Sequence, residues 1–428
     1  MPSSCEASIR KHGNDGIHIA NASLIMNVSN PKKEIVAIQQ DSTRIHLAFL
    51  DGIRALMAII VVMEHIYQGL KYSVNPPVLP KILWNILALF NVGQAPVVVF
   101  ICLSGFVLTL PVLKGNFDLG SFAKKRFQRI YPPYIAGLVF SVILTFCTHW
   151  YLNESNAAVV SAGSLLTHTF LIHNFTKYIS SLNGTHWTVA VEVQIYFLFA
   201  LIWQPLASRF GWMVANLLFV LIPILATLAG YSLQYEYQLY VTYFTFGGLT
   251  ALCWTKNLAE DRHNAAVKYI SYTGYLVLAA VVYAIISNRG AYSSSLQAPI
   301  DFLIAIATCL IILNLVLAGE PMNKTIHALK SVLETPFLTR VASYSYSLYL
   351  VHYPIVVLMC VIARVHIAVD IVRVAVAMCA LPISLVVAMF LASLFENQSS
   401  PIIRWLADAI GTTKRQNVVS PCIGTKLT

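Results

Sequence analysis

The sequence is poor in charged residues, since only 11% are Asp, Glu, Lys or Arg. Soluble domains carry about 25%, whereas 57% of these 428 residues are hydrophobic and the mean hydropathy is +0.70. This scarcity excludes an ordinary soluble domain and predicts an all-α integral membrane protein in contact with a lipid bilayer. The sequence also lacks a Gly-x-Gly-x-x-Gly loop, a Walker loop and His/Cys clusters with zinc spacing. We therefore expect no permanently bound cofactor and no metal site.

The cysteines do not predict disulfides. Six of the eight fall in apolar stretches, where they are typical of small buried hydrophobic residues. These six are Cys102, Cys147, Cys253, Cys309, Cys360 and Cys379. The charged and apolar regions of a cleavable signal peptide are also lacking. We expect residues 1–44 to be a disordered cytoplasmic tail and the first apolar stretch to be an uncleaved anchor.

Ten apolar stretches are long enough to cross a bilayer, which takes ~17–25 residues. The predicted spans are 49–70, 95–113, 131–150, 187–206, 212–231, 237–255, 269–287, 300–318, 341–363 and 371–395. A shorter apolar segment, 159–173, is predicted to be re-entrant or interfacial, and eleven spans result if it crosses. Residues 45–396 would then form the transmembrane domain, and residues 397–428 a cytoplasmic tail.

The net charge of +10 does not call for a nucleic-acid partner, and we predict none. With ten spans and a cytoplasmic N-terminus, 21 Lys and Arg residues lie in cytoplasmic segments and 5 on the far side. This bias is typical of membrane proteins, and an eleventh crossing would remove it. Ten spans with both termini cytoplasmic are therefore predicted.

The loop 151–186 then lies on the far side of the membrane. Its three sequons, at Asn153, Asn174 and Asn183, fit a glycoprotein of a eukaryotic endomembrane such as the endoplasmic reticulum. Four further sequons fall on the predicted cytoplasmic side, so the motif alone does not fix the side of this loop. Those four are at Asn21, Asn27, Asn323 and Asn397.

Two basic residues share one face of the first span. Arg54 and His65 are eleven residues apart, which on an α-helix is about 20° past three full turns and roughly 16 Å along the axis. A charge in hydrocarbon costs at least ~2.5 kcal/mol on insertion scales, so this placement predicts a functional site. The spacing suits a long molecule lying between the two residues. Glu64 points about 100° away from His65, is interpreted as solvated or pore-lining, and receives no role.

Glu192 enters the fourth span at the depth predicted for His65. A histidine beside a carboxylate suits a general base and its orienting partner. The alternative is that His65 is an interfacial histidine without a catalytic role. His168 and His173 are interpreted as loop residues rather than catalysts.

Two more polar residues, Ser104 and His352, lie near the predicted mid-membrane plane. Ser104 could be a nucleophile, but Ser104-Gly105 is more typical of close helix packing. Further along the chain, Arg126 and Arg129 share a helix face at the cytoplasmic surface. They are either anchors that reach lipid headgroups or a clamp for phosphate oxygens, and their spacing favours neither.

Five motifs in this order resemble those of the acyltransferase-3 family of multi-pass membrane O-acyltransferases. Leu-Asp-Gly-Ile-Arg-Ala-Leu at 50–56, followed by His65, is similar to its Arg-x10-His signature, with Asp51 beside the arginine. Residues 99–106 resemble its Phe-Phe-x-x-Ser-Gly motif, with Phe100-Ile101 in place of Phe-Phe. The other three motifs lie at 126–132 (Arg-x-x-Arg-Ile-x-Pro), 186–192 (with Thr188 for the family's serine, followed by Tyr196) and 345–352 (with Tyr349 and His352).

The resemblance implies an acyl-CoA donor, most simply acetyl-CoA as co-substrate, and a hydroxyl acceptor. Residues Arg126, Arg129 and Ser104 would bind acyl-CoA, and Asp51, Tyr349 and His352 would support the site. His65, oriented by Glu192, would deprotonate the acceptor for direct attack on the thioester, and Arg54 would hold a phosphate or polarise the carbonyl.

The acceptor is predicted to be a small lipophilic molecule, such as a secondary metabolite that undergoes O-acetylation. A carbohydrate polymer is the alternative acceptor. A proton-coupled secondary transporter remains the alternative function, because buried His, Glu and Arg also build proton relays. A non-catalytic scaffold would leave the alignment of Arg54 and His65 unexplained.

Overall fold

The structure, a computed structural model, describes residues 47–72, 76–115, 117–152, 160–231, 237–259, 265–287, 296–318 and 324–396. All regular structure within these ranges is helical. Both tails predicted from the sequence lie outside the described residues, as do the sequons at Asn153 and Asn323.

Sixteen α-helices can be numbered along the described part of the chain. They are α1 (Ala48–Lys71), α2 (Lys81–Leu87), α3 (Ala95–Leu113), α4 (Leu119–Leu152), α5 (Ala162–Thr169), α6 (Trp187–Leu198), α7 (Gln204–Phe210), α8 (Trp212–Leu228), α9 (Tyr237–Ala259), α10 (Ala265–Ser287), α11 (Gln297–Leu317), α12 (Lys324–Leu333), α13 (Pro336–Ala342), α14 (Ser345–His366), α15 (Asp370–Met378) and α16 (Ala380–Phe395). A π-helical turn, Phe199–Trp203, joins α6 to α7.

The predicted spans fall in helical stretches, three of them (187–206, 341–363 and 371–395) across more than one helix, and several helical stretches suit a bilayer by length and composition. In the described residues there are six: Lys81–Leu113, Leu119–Thr148, Trp187–Phe210, Gln297–Leu317, Ser345–His366 and Asp370–Phe395. The protein is therefore a membrane protein, while the number of ten spans stays a prediction. Helix α1 carries Asp51, Arg54 and Glu64, and these charged residues lower its hydropathy.

The apolar segment 159–173 is described from residue 160 onward, and its described part does not form a helix long enough to cross. It contains α5, whose eight residues extend only about 12 Å at 1.5 Å per residue. Ser161 starts α5 through a capping box, because its side chain accepts from the Ser164 N–H while the Ser164 hydroxyl accepts from the Ser161 N–H.

Two groups of packed helices position the polar residues. Helix α14 packs against α1, α4 and α16, and α3 packs against α9, α11 and α1. The contact between α3 and α9 depends on small residues: a Cβ atom on Gly105 would lie 1.9 Å from the Phe244 carbonyl oxygen, and one on Gly247 would lie 2.0 Å from that of Cys102. These two backbones therefore touch directly, and the packing interpretation of Gly105 is confirmed.

Candidate active site

One cavity brings together residues that lie far apart in the sequence. It has a volume of about 110 Å³ and is lined by residues of α1, α3, α4, α6 and α14. Six of the predicted site residues are in its wall: Arg54, Ser104, Arg126, Arg129, Glu192 and Tyr349. We call it the arginine cavity, because three arginines in one small space form a site suited to an anionic ligand.

Helix α1 supplies Arg54 to the arginine cavity. The Arg54 Nη1 atom donates to Asp51 Oδ1 at 2.8 Å, one turn earlier on the same helix. Next to Asp51, Gly52 is pressed against α12, since a Cβ atom there would lie 1.9 Å from the Leu333 carbonyl oxygen. Asp51 thus fixes the direction of the Arg54 guanidinium, and Gly52 fixes this end of α1.

Helix α4 supplies the second and third arginines. It runs unbroken through the Arg-x-x-Arg motif and the following prolines, so Arg126 and Arg129 hold helical spacing. The Arg126 guanidinium lies 6.0 Å from the Phe122 ring centre and 5.9 Å from that of Tyr196. Such cation–π contacts hold the guanidinium in place. Both arginines line the cavity, a position suited to a clamp.

Glu192 is not the partner of His65. Its Oε1 atom accepts from the Ser104 hydroxyl at 3.4 Å and from the Tyr196 hydroxyl, and no hydrogen bond joins it to His65 in the described structure. The expectation rested on equal depth in the membrane. The carboxylate instead lines the arginine cavity together with Arg54 and faces its cations, so Glu192 belongs with the Arg54 end of α1 and not with the His65 end.

His65 lies against α14 instead. Its ring stacks on that of His352, with centroids 5.2 Å apart and planes 17° apart, and meets the Tyr353 ring edge-on at 5.2 Å. Tyr349, one turn before His352 on α14, is in the wall of the arginine cavity, and its ring lies 5.5 Å from that of His352. The histidine pair and the cavity are therefore neighbours along one helix.

Glu64 is neither solvated nor pore-lining, contrary to the sequence interpretation. It is only 3% exposed, and its Oε1 accepts from the Gln68 Nε2 atom at 2.9 Å. Sequence reasoning missed this pair, although the i, i+4 spacing of Glu64 and Gln68 was the signal that could have found it.

The loop histidines also differ from expectation. His168 and His173 are fully buried, with rings stacked 3.9 Å apart, and His168 lies 6.4 Å from the ring of His186. Burial lowers the pKa of His168 to about 4 and that of His173 to about 3, so both imidazoles are neutral at physiological pH. They form a packed cluster on α5 and a 3₁₀ turn (His173–Phe175) rather than lying in an irregular loop.

The sequons within the described part of loop 151–186 do not suit glycosylation. The side chains of Asn174 and Asn183 are 4% and 1% exposed. Asn183 Nδ2 donates to Ser141 Oγ at 3.0 Å and to the Leu350 carbonyl oxygen at 3.1 Å. A glycan at either asparagine has no room in the folded protein.

Sequence reasoning also missed Glu396, at the end of α16. Its carboxylate accepts from the Ser347 backbone N–H at 2.8 Å and from the Ser347 hydroxyl. It interacts electrostatically with Arg54 and Arg129. Glu396 therefore balances part of the positive charge beside the arginine cavity. No motif marks it, because it follows a plain apolar helix.

Comparisons with known proteins give the family of the chain. A family model described as an acyltransferase domain matches residues 47–394, so the chain belongs to the acyltransferase-3 family and is a membrane acyltransferase. The chain is also similar to the acyltransferase MdmB of Streptomyces mycarofaciens, with 23% identity over 323 residues that cover 73% of this chain and 79% of the relative. No solved structure matches the chain significantly.

Proposed function

We propose that this protein transfers an acyl group, most simply acetyl, from acyl-CoA to a hydroxyl group of a small lipophilic molecule. The observation that carries the proposal is the arginine cavity next to the His65–His352 pair. Acyl-CoA has phosphates at one end and a thioester at the other, so a site for it needs cations at one end and a base at the other. Arg54 and His65 lie roughly 16 Å apart along α1, which suits the extended arm between those two ends.

The cavity residues would bind the donor. Arg126 and Arg129 suit phosphate oxygens, because a guanidinium offers two parallel N–H donors. Arg54, held by Asp51, would contact a phosphate or the thioester carbonyl. Since this cavity is predicted to lie on the cytoplasmic side, it would face the compartment in which acyl-CoA is made.

His65 would take the proton. As it accepts the proton of the acceptor hydroxyl, the hydroxyl oxygen attacks the thioester carbonyl carbon. The C–S bond then breaks, the acyl group stays on the acceptor oxygen as an ester, and CoA leaves as a thiolate that is protonated afterwards. A thiol is far more acidic than an alcohol, with a pKa of about 8.5 for cysteine, so the thiolate is an adequate leaving group without a strong acid.

The donor half is tested with purified protein in lipid nanodiscs. Acetyl-CoA binding is measured by calorimetry, and release of free thiol by a colorimetric reagent. We expect the double variant Arg126→Ala/Arg129→Ala to raise the KM for acetyl-CoA at least about tenfold, because phosphate contacts contribute binding. An unchanged KM in a well-folded double variant would reduce both arginines to membrane anchors.

The acceptor half is tested in cells. Extracts of a strain lacking the protein are compared with the parent by mass spectrometry, and the expected result is loss of a species heavier by one acyl group. Uptake of a solute into vesicles, with no acetyl-CoA turnover, would instead support a transporter. Loss of acyl groups from a polysaccharide alone would overturn the lipophilic acceptor.

A further inference from the structure

We propose that a second cavity, between α4, α14 and the loop before α6, binds the acceptor as a compact molecule with one apolar ring and a hydroxyl group. This inference rests on the proposed function, because it names where the second substrate of that reaction binds. The cavity has a volume of about 190 Å³, and its wall includes Thr145, Leu182, Asn183, Gly184, Tyr353 and Val357. We call it the tyrosine cavity.

Tyr353 connects the tyrosine cavity to the histidine pair. It lines the cavity, and its ring centre lies 5.2 Å from that of His65. Its phenol end meets the loop, since a Cβ atom on Gly184 would lie 2.8 Å from Tyr353 Cζ. The Tyr353 ring therefore separates this loop from His65. Because Tyr353 is only partly buried, and side chains at binding surfaces commonly change rotamer on binding, rotation of this ring gives the acceptor hydroxyl a path to the imidazole.

The order of residues along α14 places the histidine pair between the two cavities. Tyr349 lines the arginine cavity, His352 stacks on His65, and Tyr353 and Val357 line the tyrosine cavity. From Tyr349 to Val357 the helix rises about 12 Å, at 1.5 Å per residue. Donor and acceptor then approach the histidine pair from opposite directions and are bound together, which direct attack on the thioester requires.

The volume and the lining of the tyrosine cavity define the class of acceptor. An engineered apolar cavity of about 150 Å³ binds benzene, so a volume of 190 Å³ suits one ring with a short substituent. Leu182 and Val357 supply apolar surface, and Thr145 supplies a hydroxyl group. This combination suits an apolar ring that carries a hydroxyl group.

The loop side of the tyrosine cavity is fixed by buried hydrogen bonds. Asn183 Nδ2 donates to Ser141 Oγ at 3.0 Å and to the Leu350 carbonyl oxygen at 3.1 Å, and Asn183 Oδ1 accepts from the Thr185 N–H at 3.0 Å. These contacts join the loop to α4 and to α14. The cavity is therefore already formed in the folded protein, as is usual for small-molecule sites.

The tyrosine cavity opens at an apolar outer surface. Val357 in its wall is 37% exposed, and on α4 the neighbouring side chains of Ile143 and Phe146 are 54% and 56% exposed. Both α4 and α14 belong to the stretches that suit a bilayer, where exposed apolar side chains favour contact with lipid. A lipophilic acceptor dissolved in the bilayer thus has access to the cavity.

The experiment fills the tyrosine cavity in purified protein in lipid nanodiscs. The probe acceptor is 2-phenylethanol, which has one ring and one hydroxyl group, and the readout is thiol release from acetyl-CoA. Val357→Trp adds an indole to the cavity. Val365→Trp, the matched control, makes the same change eight residues later on α14, outside the cavity wall, where the side chain is 50% exposed.

We expect 2-phenylethanol to stimulate thiol release by wild type in a saturable manner. Val357→Trp should lower kcat/KM for 2-phenylethanol about tenfold or more, because small changes in pocket size have effects of this order. Its affinity for acetyl-CoA, measured by calorimetry, should stay unchanged, since Val357 is not in the wall of the arginine cavity. Thr145→Phe, which fills the cavity from α4, should act like Val357→Trp, and Val365→Trp should match wild type.

The possible failures are distinguishable. Equal stimulation of wild type and Val357→Trp would place the acceptor outside the tyrosine cavity. No stimulation of a wild type that binds acetyl-CoA, or a larger stimulation by glucose than by 2-phenylethanol, would overturn the apolar one-ring class. If wild type neither binds acetyl-CoA nor releases thiol from it, the proposed function itself is wrong.

Discussion

At the scale of single residues, His65 is the group on which the proposed chemistry depends. We expect His65→Ala to lower kcat by about 10²–10⁴-fold, the range for loss of a general base. Affinity for acetyl-CoA should be unchanged, because His65 lies outside the wall of the arginine cavity. Calorimetry and thiol release measure the two quantities separately. Retention of more than about a tenth of the wild-type kcat would show that His65 is not the base.

Arg54→Lys asks what the arginine contributes beyond its charge. Lysine keeps the positive charge and can reach a polar surface, but it lacks the planar fork that contacts Asp51 and a ligand together. We expect normal membrane insertion. The kcat/KM for acetyl-CoA should fall about tenfold or more. Wild-type turnover by this variant would show that a point charge is sufficient at this position.

The sequence indicated most of the arginine cavity but not the surroundings of His65. Arg54, Ser104 and Arg126 lie in recognisable motifs. Helical spacing then predicts which side of its helix each residue occupies. The partner of His65 depended on the rotation of α6 and α14 relative to α1. Hydropathy reports neither that rotation nor which polar side chains meet, which is why Glu192 was assigned to His65 and the stacking of His65 on His352 was missed.

At the scale of helices, the contact between α3 and α9 tolerates no added side-chain atoms. A Cβ atom on Gly247 would lie 2.0 Å from the Cys102 carbonyl oxygen, and backbone atoms cannot rotate away. We expect Gly247→Ala to destabilise the protein by about 1–3 kcal/mol, the cost typical of overpacking. Thermal unfolding in detergent measures this change.

A matched control is Gly120→Ala, near the start of α4. The added Cβ atom there would meet only Asp118 Oδ2 at 3.6 Å, which is an ordinary contact. We expect its Tm to stay within about 2 °C of wild type, since such surface changes are usually small. Equal Tm values for the two variants would mean that α3 and α9 can move apart freely.

Helix boundaries were predictable where the apolar pattern ends sharply. The span 95–113 coincides with α3 (Ala95–Leu113). Helix α4, in contrast, begins at Leu119, well before the predicted span at 131, because polar and basic residues are good helix formers outside the hydrocarbon. The π-helical turn Phe199–Trp203 has no signal in the sequence, since it depends on local backbone hydrogen bonds.

At the scale of the whole molecule, the burial of two sequons predicts the glycosylation state. We expect Asn153→Gln protein from a eukaryotic host to show no change in electrophoretic mobility on glycosidase treatment. The physical reason is that Asn174 and Asn183 are buried and hydrogen-bonded. A mobility change that disappears on adding Asn183→Gln would contradict the described packing of this loop.

The charge bias makes a separate prediction about orientation. Reporter domains fused to either end should both be protected from reagents applied on the far side of the membrane, because basic residues stay cytoplasmic. Labelling of exactly one fused end would indicate an odd number of spans.

Along helix α1, each residue adds about 1.5 Å of rise and about 100° of rotation. Depth and direction therefore cannot be changed independently between Arg54 and His65. Inserting a single alanine between them would lengthen the separation only slightly but would turn the imidazole away from α14. The number of residues between Arg54 and His65 must therefore correspond to whole helical turns. Insertions or deletions between these two residues should be far more damaging than most substitutions there.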